Sequence, residues 1–148
     1  MVREGKRYRN LPTSKRAEIL KVLERALEKE QGLCAVYVHG SFIKEGPFHD
    51  IDIALYYYPT PEFNLLDKEL GIEVALEEAL IRAGFCVPVD VRIINRAPLS
   101  FRYHVIKEGK LLLVREDNRR VDFEVLTLTQ YFDFAPFRAA YLKEVLRL

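Results

Sequence analysis

The sequence predicts an α/β (α+β) domain, a small mixed β-sheet flanked by helices, and three observations carry that expectation. Short runs rich in β-branched and aromatic residues alternate with longer stretches whose apolar residues recur every three or four positions. Glycine or proline stands at most of the boundaries, and no repeat, low-complexity tract or long linker interrupts the alternation. At 148 residues, 49% hydrophobic and 30% charged, the chain suits one globular domain with a sizeable core.

Residues 1–11 read as a basic arm and residues 12–148 as a single domain. Up to residue 16 the chain carries Arg3, Lys6, Arg7, Arg9, Lys15 and Arg16 against Glu4, net +5, which leaves −4 over the remainder of a chain whose total is +1. Such an arm suits an acidic partner or nucleic acid, and a solvated tail explains it equally well. No other basic patch is interleaved with aromatics, so direct nucleic-acid binding is not expected.

Pro12, Thr13 and Ser14 open a first helix, whose Ile19, Leu20, Leu23, Ala26 and Leu27 repeat at three and four and which ends near Gly32. Cys34 to Val38 reads as a buried strand that stops at His39 and Gly40. Asp50 to Tyr58 is the next strand, closed by Pro59, Thr60 and Pro61. Ile72, Leu76, Ala79, Leu80 and Ala83 mark a second helix stopped by Gly84. Val87 to Ile94 alternates again as a strand, Pro98 opens a short helix that ends at Gly109, and Leu111 to Val114 reads as a last strand. In the carboxyl-terminal segment, Pro136 is expected to divide a helical stretch into two pieces.

Within this frame the chemistry concentrates at Gly40-Ser41 and, eight residues on, Asp50-Ile51-Asp52. A strand that breaks at Gly-Ser and turns toward a helix leaves backbone N–H groups pointing outward, where they attract phosphate oxygens. In the following strand the period of two puts Asp50 and Asp52 on one face and Ile51, Ile53 and Leu55 on the other. Asp90 and Arg92 likewise share the face opposite Val89 and Val91. If the two strands pair with their apolar faces aligned, three acids gather at one site, an arrangement that favours a divalent cation. Solvated acids at a strand end, or an Asp90–Arg92 ion pair, are the plainer readings of the same residues. His39, His49 and His104 lack zinc-ligand spacing and are treated as ordinary polar residues.

The order Gly-Ser, spacer, Asp-x-Asp and a later strand aspartate resembles the nucleotidyltransferase superfamily that includes DNA polymerase beta. More narrowly, Val89-Asp90-Val91 followed by Asn95-Arg96-Ala97-Pro98, Arg102-Tyr103 and Glu108 to Leu112 resembles the minimal nucleotidyltransferases of HEPN/MNT toxin–antitoxin pairs, across residues 12–147. The spacer after Gly-Ser is a couple of residues shorter than is usual there. The resemblance implies the nucleotidyltransferase fold and a metal-dependent transfer of AMP from ATP to a protein hydroxyl, a tyrosine of a HEPN ribonuclease toxin. It implies Mg²⁺ or Mn²⁺ on Asp50, Asp52 and Asp90, with Asp90 also accepting the proton of the attacking hydroxyl. Gly40, Ser41, Lys44 and Arg92 would bind the nucleotide. The alternatives are a binding antitoxin with a weak site and an enzyme acting on a small molecule.

Phe123, Tyr131, Phe132, Phe134, Phe137 and Tyr141 crowd the last segment. Most are expected to pack on the sheet, and any that do not would form a face for the HEPN partner or for self-association. Cys34 and Cys86 are expected to be small buried hydrophobes. No apolar run approaches the length of a membrane span and Met1 to Arg7 leads into no signal-peptide core, so a cytoplasmic protein is expected.

Overall fold

A computed structural model describes residues 10–62 and 64–146, so the expected basic arm lies outside the described residues except for Asn10 and Leu11. Four strands, β1 (Leu33–His39), β2 (Ile51–Tyr57), β3 (Val89–Ile93) and β4 (Lys110–Val114), form one sheet in the order β3-β2-β1-β4. β1 runs antiparallel to β2 and β4, whereas β2 and β3 are parallel, so the sheet is mixed as the sequence predicts. The helices are α1 (Thr13–Leu27), α2 (Leu65–Arg82), α3 (Leu99–Glu108) and α4 (Asp117–Leu146).

Alternation along the strands feeds two cores. Ile51, Ile53 and Leu55 join Val89, Val91, Leu23 and Leu76 on the face covered by α1 and α2. Ala54 joins Tyr37, Ile94, Val105 and Phe123 on the face of α3 and α4. Every residue of β1 is buried, which explains a strand that is apolar without alternation. α2 ends where Gly84 takes a positive φ of 93°.

α2 also protects the edge of the sheet. Glu77, Glu73 and Glu69, one turn apart along the helix, accept the outward N–H groups of Val89, Val91 and Ile93 at 2.9, 2.9 and 2.7 Å. Edge strand β3 therefore presents no free N–H at those positions to a stray strand.

Three expectations change. Pro136 does not split the last segment, because it lies inside the single helix α4. The carbonyl its ring releases lies on an exposed stretch where water can take it, and the turn before it is docked by Tyr131 stacked on Tyr103 at 3.7 Å. Nor are the aromatics of α4 mainly core. Phe123 is buried and stacks on Tyr56, while Phe132, Phe134, Phe137 and Tyr141 are 60%, 52%, 75% and 66% exposed, since α4 outruns the sheet it packs on. Cys34 is buried, but Cys86 falls in the turn before β3 and is exposed.

No helix among the described residues is long and apolar enough to cross a membrane.

Candidate active site

β1 delivers its last residue, His39, directly opposite Asp52 of β2, and β2 places Asp52 in register with Asp90 of β3. Ala54 and Arg92 form the next pair on the same face of these two strands. Strand pairing alone thus brings residues 39, 52, 90 and 92 to one end of one sheet face. Asp50, just ahead of β2, is close enough to act on the charge of Asp52.

Gly40 shapes the floor. Its φ of 79° lies in the left-handed region that favours glycine, and a Cβ built on it would collide with Asp52 Oδ2. The carboxylate can therefore lie against the main chain only because residue 40 has no side chain. Ser41 begins a turn of 3₁₀ helix, Ser41–Ile43, closed by Lys44 N–H donating to Ser41 O at 3.1 Å. The sequence leads one to expect a helix after Gly40-Ser41, with a dipole to add to the N–H groups. Instead the helix is a single 3₁₀ turn whose N-cap is Gly40, the chain bends away toward Gly46 and Pro47, and Ser41 is exposed. Anion binding at this bend would rest on its few local N–H groups rather than on a helix dipole.

The charges oppose one another. Burial first, then Asp50 and Asp90, raise Asp52 from 3.8 to about 6, and Arg92 pulls it back down. A carboxylate in that field gains from any cation beside it. Among the described residues no group of three His, Cys, Asp or Glu side chains is already closed into a metal cage. Mg²⁺ does not need one, because it keeps several waters and is commonly held by one or two carboxylates together with substrate phosphates. The all-oxygen donor set and the mutual repulsion of the acids fit such an ion, with Mn²⁺ served by the same ligands.

His39 is the residue that sequence reasoning passed over. It is buried, its Nε2 has no hydrogen-bond partner, and its ring meets Phe101 edge-on at 5.7 Å. Burial, then His104, lower its pKa, Asp90 opposes them and Arg92 adds to them, so the surroundings favour the neutral imidazole. Its place just before Gly40 was the available signal. Arg92 extends over the ring of Phe101 at 5.9 Å. Lys44 lines a groove beside the start of α1 that includes none of the three aspartates.

Arg16, counted above with the basic arm, fixes this bend. Its guanidinium donates to Leu11 O at 2.9 Å, to Phe42 O at 2.7 Å, to Lys44 O at 3.0 Å and to Gly46 O, and it sits 4.9 Å from the centre of the Phe48 ring. The planar fork suits three carbonyls around the bend and a fourth, Leu11 O, ahead of α1.

The family described as polymerase beta, nucleotidyltransferase matches residues 21–118, a span that holds Gly40, Ser41, Asp50, Asp52 and Asp90. Among solved structures, a chain of the toxin–antitoxin MntA-HepT is 21% identical, with a TM-score of 0.62 over 91% of this chain and 99% of that one. A chain from tri-AMPylated Shewanella oneidensis HEPN toxin in complex with MNT antitoxin is 22% identical, with a TM-score of 0.62 over 90% and 97%. A chain of a toxin–antitoxin with AMP-PNP is also 22% identical, with a TM-score of 0.64 over 88% and 98%. These likenesses are of fold. No curated protein matches the sequence.

Proposed function

The chain belongs to the polymerase beta nucleotidyltransferase family, and on that premise we propose that it transfers AMP from ATP to a tyrosine hydroxyl of a HEPN-domain toxin and so acts as an antitoxin. The observation that carries the reading is the close approach of Gly40 to Asp52 with Asp90 in register on the neighbouring strand. A chain from a complex of tri-AMPylated HEPN toxin with MNT antitoxin shares the fold and supports a HEPN protein as partner and as recipient of AMP.

Asp50, Asp52 and Asp90 would hold Mg²⁺ or Mn²⁺, which when bound neutralises charge on the triphosphate. Gly40 and Ser41 present main-chain N–H groups to its β- and γ-phosphates. Arg92, within the field of Asp52, pairs with a phosphate oxygen. Lys44, which lines the groove beside α1, would reach the triphosphate only by turning out of that groove. Asp90 accepts the proton of the attacking hydroxyl, whose oxygen then bonds to the α-phosphorus as pyrophosphate departs.

A second reading has an observation of its own. The exposed Phe137 and Tyr141 of α4 suit a partner interface, and a chain that neutralised its toxin by covering it would need only that face. The two readings separate when purified protein is mixed with Mg²⁺, α-labelled ATP and the HEPN protein encoded beside it, alongside Asp50→Asn and Asp52→Asn. Label on a HEPN tyrosine, lost by several orders of magnitude in both variants, is the expected result. Equal labelling by the variants would remove the catalytic assignment, and toxin neutralised without any label would favour the binder.

A further inference from the structure

A cleft of about 570 Å³ opens along the outer edge of β3, reaching from Asp90 past Arg92 to Arg96, with Phe101 and Pro98 on one wall and Leu66 and Leu70 of α2 on the other. Its inner end touches Asp90, the residue assigned to receive the acceptor's proton, so the cleft begins where the acceptor must arrive. Its walls are built rather than loose. Asn95 Nδ2 donates to Tyr57 O at 2.7 Å while Asn95 Oδ1 accepts from Tyr57 N–H at 2.9 Å, which ties the chain leaving β3 to β2. Arg102 Nε donates to Ala97 O at 3.0 Å and holds the next bend.

The chemistry of the lining selects among hydroxyls. A serine or threonine hydroxyl lies so close to its own main chain that the acceptor backbone would have to enter the cleft, and its N–H and C=O groups would meet the apolar side chains of Leu66, Leu70 and Pro98. A tyrosine brings an apolar ring that those side chains and Phe101 can cover, and carries its hydroxyl inward to Asp90. The charges are divided along the cleft. Glu73 and Glu69 are turned onto the N–H groups of Val91 and Ile93, and Arg92 lies over Phe101. Arg96 is exposed and, among the described residues, forms no ion pair or hydrogen bond. An unpaired guanidinium at the outer end suits a carboxylate a residue or two from the tyrosine.

Resting on the nucleotidyltransferase reading, we propose that this cleft is the acceptor subsite and that it takes a tyrosine within an acidic polypeptide segment, with Arg96 pairing to the flanking acid.

The test uses the full chain and short fluorescent peptides bearing one tyrosine flanked by glutamates or by lysines, with binding read by anisotropy and transfer read with α-labelled ATP. The glutamate peptide should bind at least about tenfold tighter than the lysine peptide at low salt, and Arg96→Glu should reverse that order, since charge complementarity sets partner choice. Replacing the peptide's tyrosine by phenylalanine should keep binding and abolish transfer. Equal binding of both peptides, or an order unchanged by Arg96→Glu, overturns the subsite whether or not label moves. Arg96-dependent binding with no transfer to any acceptor keeps the subsite and overturns the transferase reading. Transfer that ignores peptide charge and Arg96 does the reverse.

Discussion

Gly40 and Asp52 occupy space that only a glycine leaves free, because a Cβ on residue 40 would overlap Asp52 Oδ2 and lie 3.2 Å from its Cγ. Gly40→Ala should therefore displace the carboxylate and also force a side chain into φ 79°, a backbone cost of about 1 kcal/mol. A shift of about 1 Å at a reacting group costs about a hundredfold in rate. The variant should melt a few degrees lower yet lose about two orders of magnitude in AMP transfer. Full activity would mean that Asp52 need not lie where it does.

Asp52 also predicts a pH dependence of the metal-free protein. Its folded value of about 6 lies above the ordinary 3.8, with burial the first cause and Asp50 and Asp90 next. A carboxyl that ionises less readily in the fold stabilises it fully below the unfolded value, and that contribution disappears as pH rises through the folded value. In EDTA, the melting temperature of the wild type relative to Asp52→Asn should fall between about pH 3.8 and pH 6 and then level off. Mg²⁺ should restore wild-type stability above that range, where the acids are charged. A difference curve that is flat or rises with pH would contradict the burial of Asp52 beside Asp50 and Asp90.

His39 holds a buried Nε2 with no hydrogen-bond partner, which costs about 1–3 kcal/mol in the absence of substrate. Replacement by phenylalanine, similar in size and already neighboured by Phe101, should hold or raise the melting temperature of the nucleotide-free protein. A clear drop would show that the imidazole is satisfied after all. A stabilised but slower enzyme would place the polar nitrogen in the service of substrate.

Arg16 makes a different prediction, because its hydrogen bonds reach carbonyls 26 to 30 residues away in sequence. Arg16→Ala removes the donors for Phe42, Lys44 and Gly46 and should cost about 3 kcal/mol in urea unfolding. The loop after Gly40 loses its brace, so the KM for ATP should rise more than kcat falls. A loss below about 0.5 kcal/mol would class Arg16 with ordinary surface cations.

What could be read from the chain beforehand follows from the range of each signal. The period of two placed Asp52 and Asp90 on matching faces, and the pairing of β2 with β3 then set them side by side. Gly84 and Gly109 stopped helices through local backbone geometry that a sequence displays. The place of His39 just before Gly40 was legible, but its burial was not, because that depends on Phe101 and β2, which lie far along the chain. Arg16 looked like one charge in a run, although its environment is built by residues 42–48. Pro136 misled for the converse reason: the local rule holds for a helix interior, yet an exposed carbonyl and the Tyr103–Tyr131 stack leave α4 continuous. The glutamates at 69, 73 and 77 recur every four residues along α2, but nothing local says that they cap an edge strand.

The exposed end of α4 supplies the last prediction. Phe137 and Tyr141 stand four residues apart on the helix, one turn, at 75% and 66% exposure. Neither is needed to cover the core, so Phe137→Asp with Tyr141→Asp should leave the melting temperature within about 1 °C and raise solubility. If this face carries the partner, the double variant should fail to co-purify with the HEPN protein and fail to label it, while still binding Mg-ATP as tightly as the wild type. Buried aromatics dominate interface energies, each truncation costing about 2 kcal/mol or more, so two introduced charges should weaken the complex by at least about a thousandfold. A double variant that pairs normally would move the partner surface off this helix, and one that melts early would show that the two rings close the fold instead.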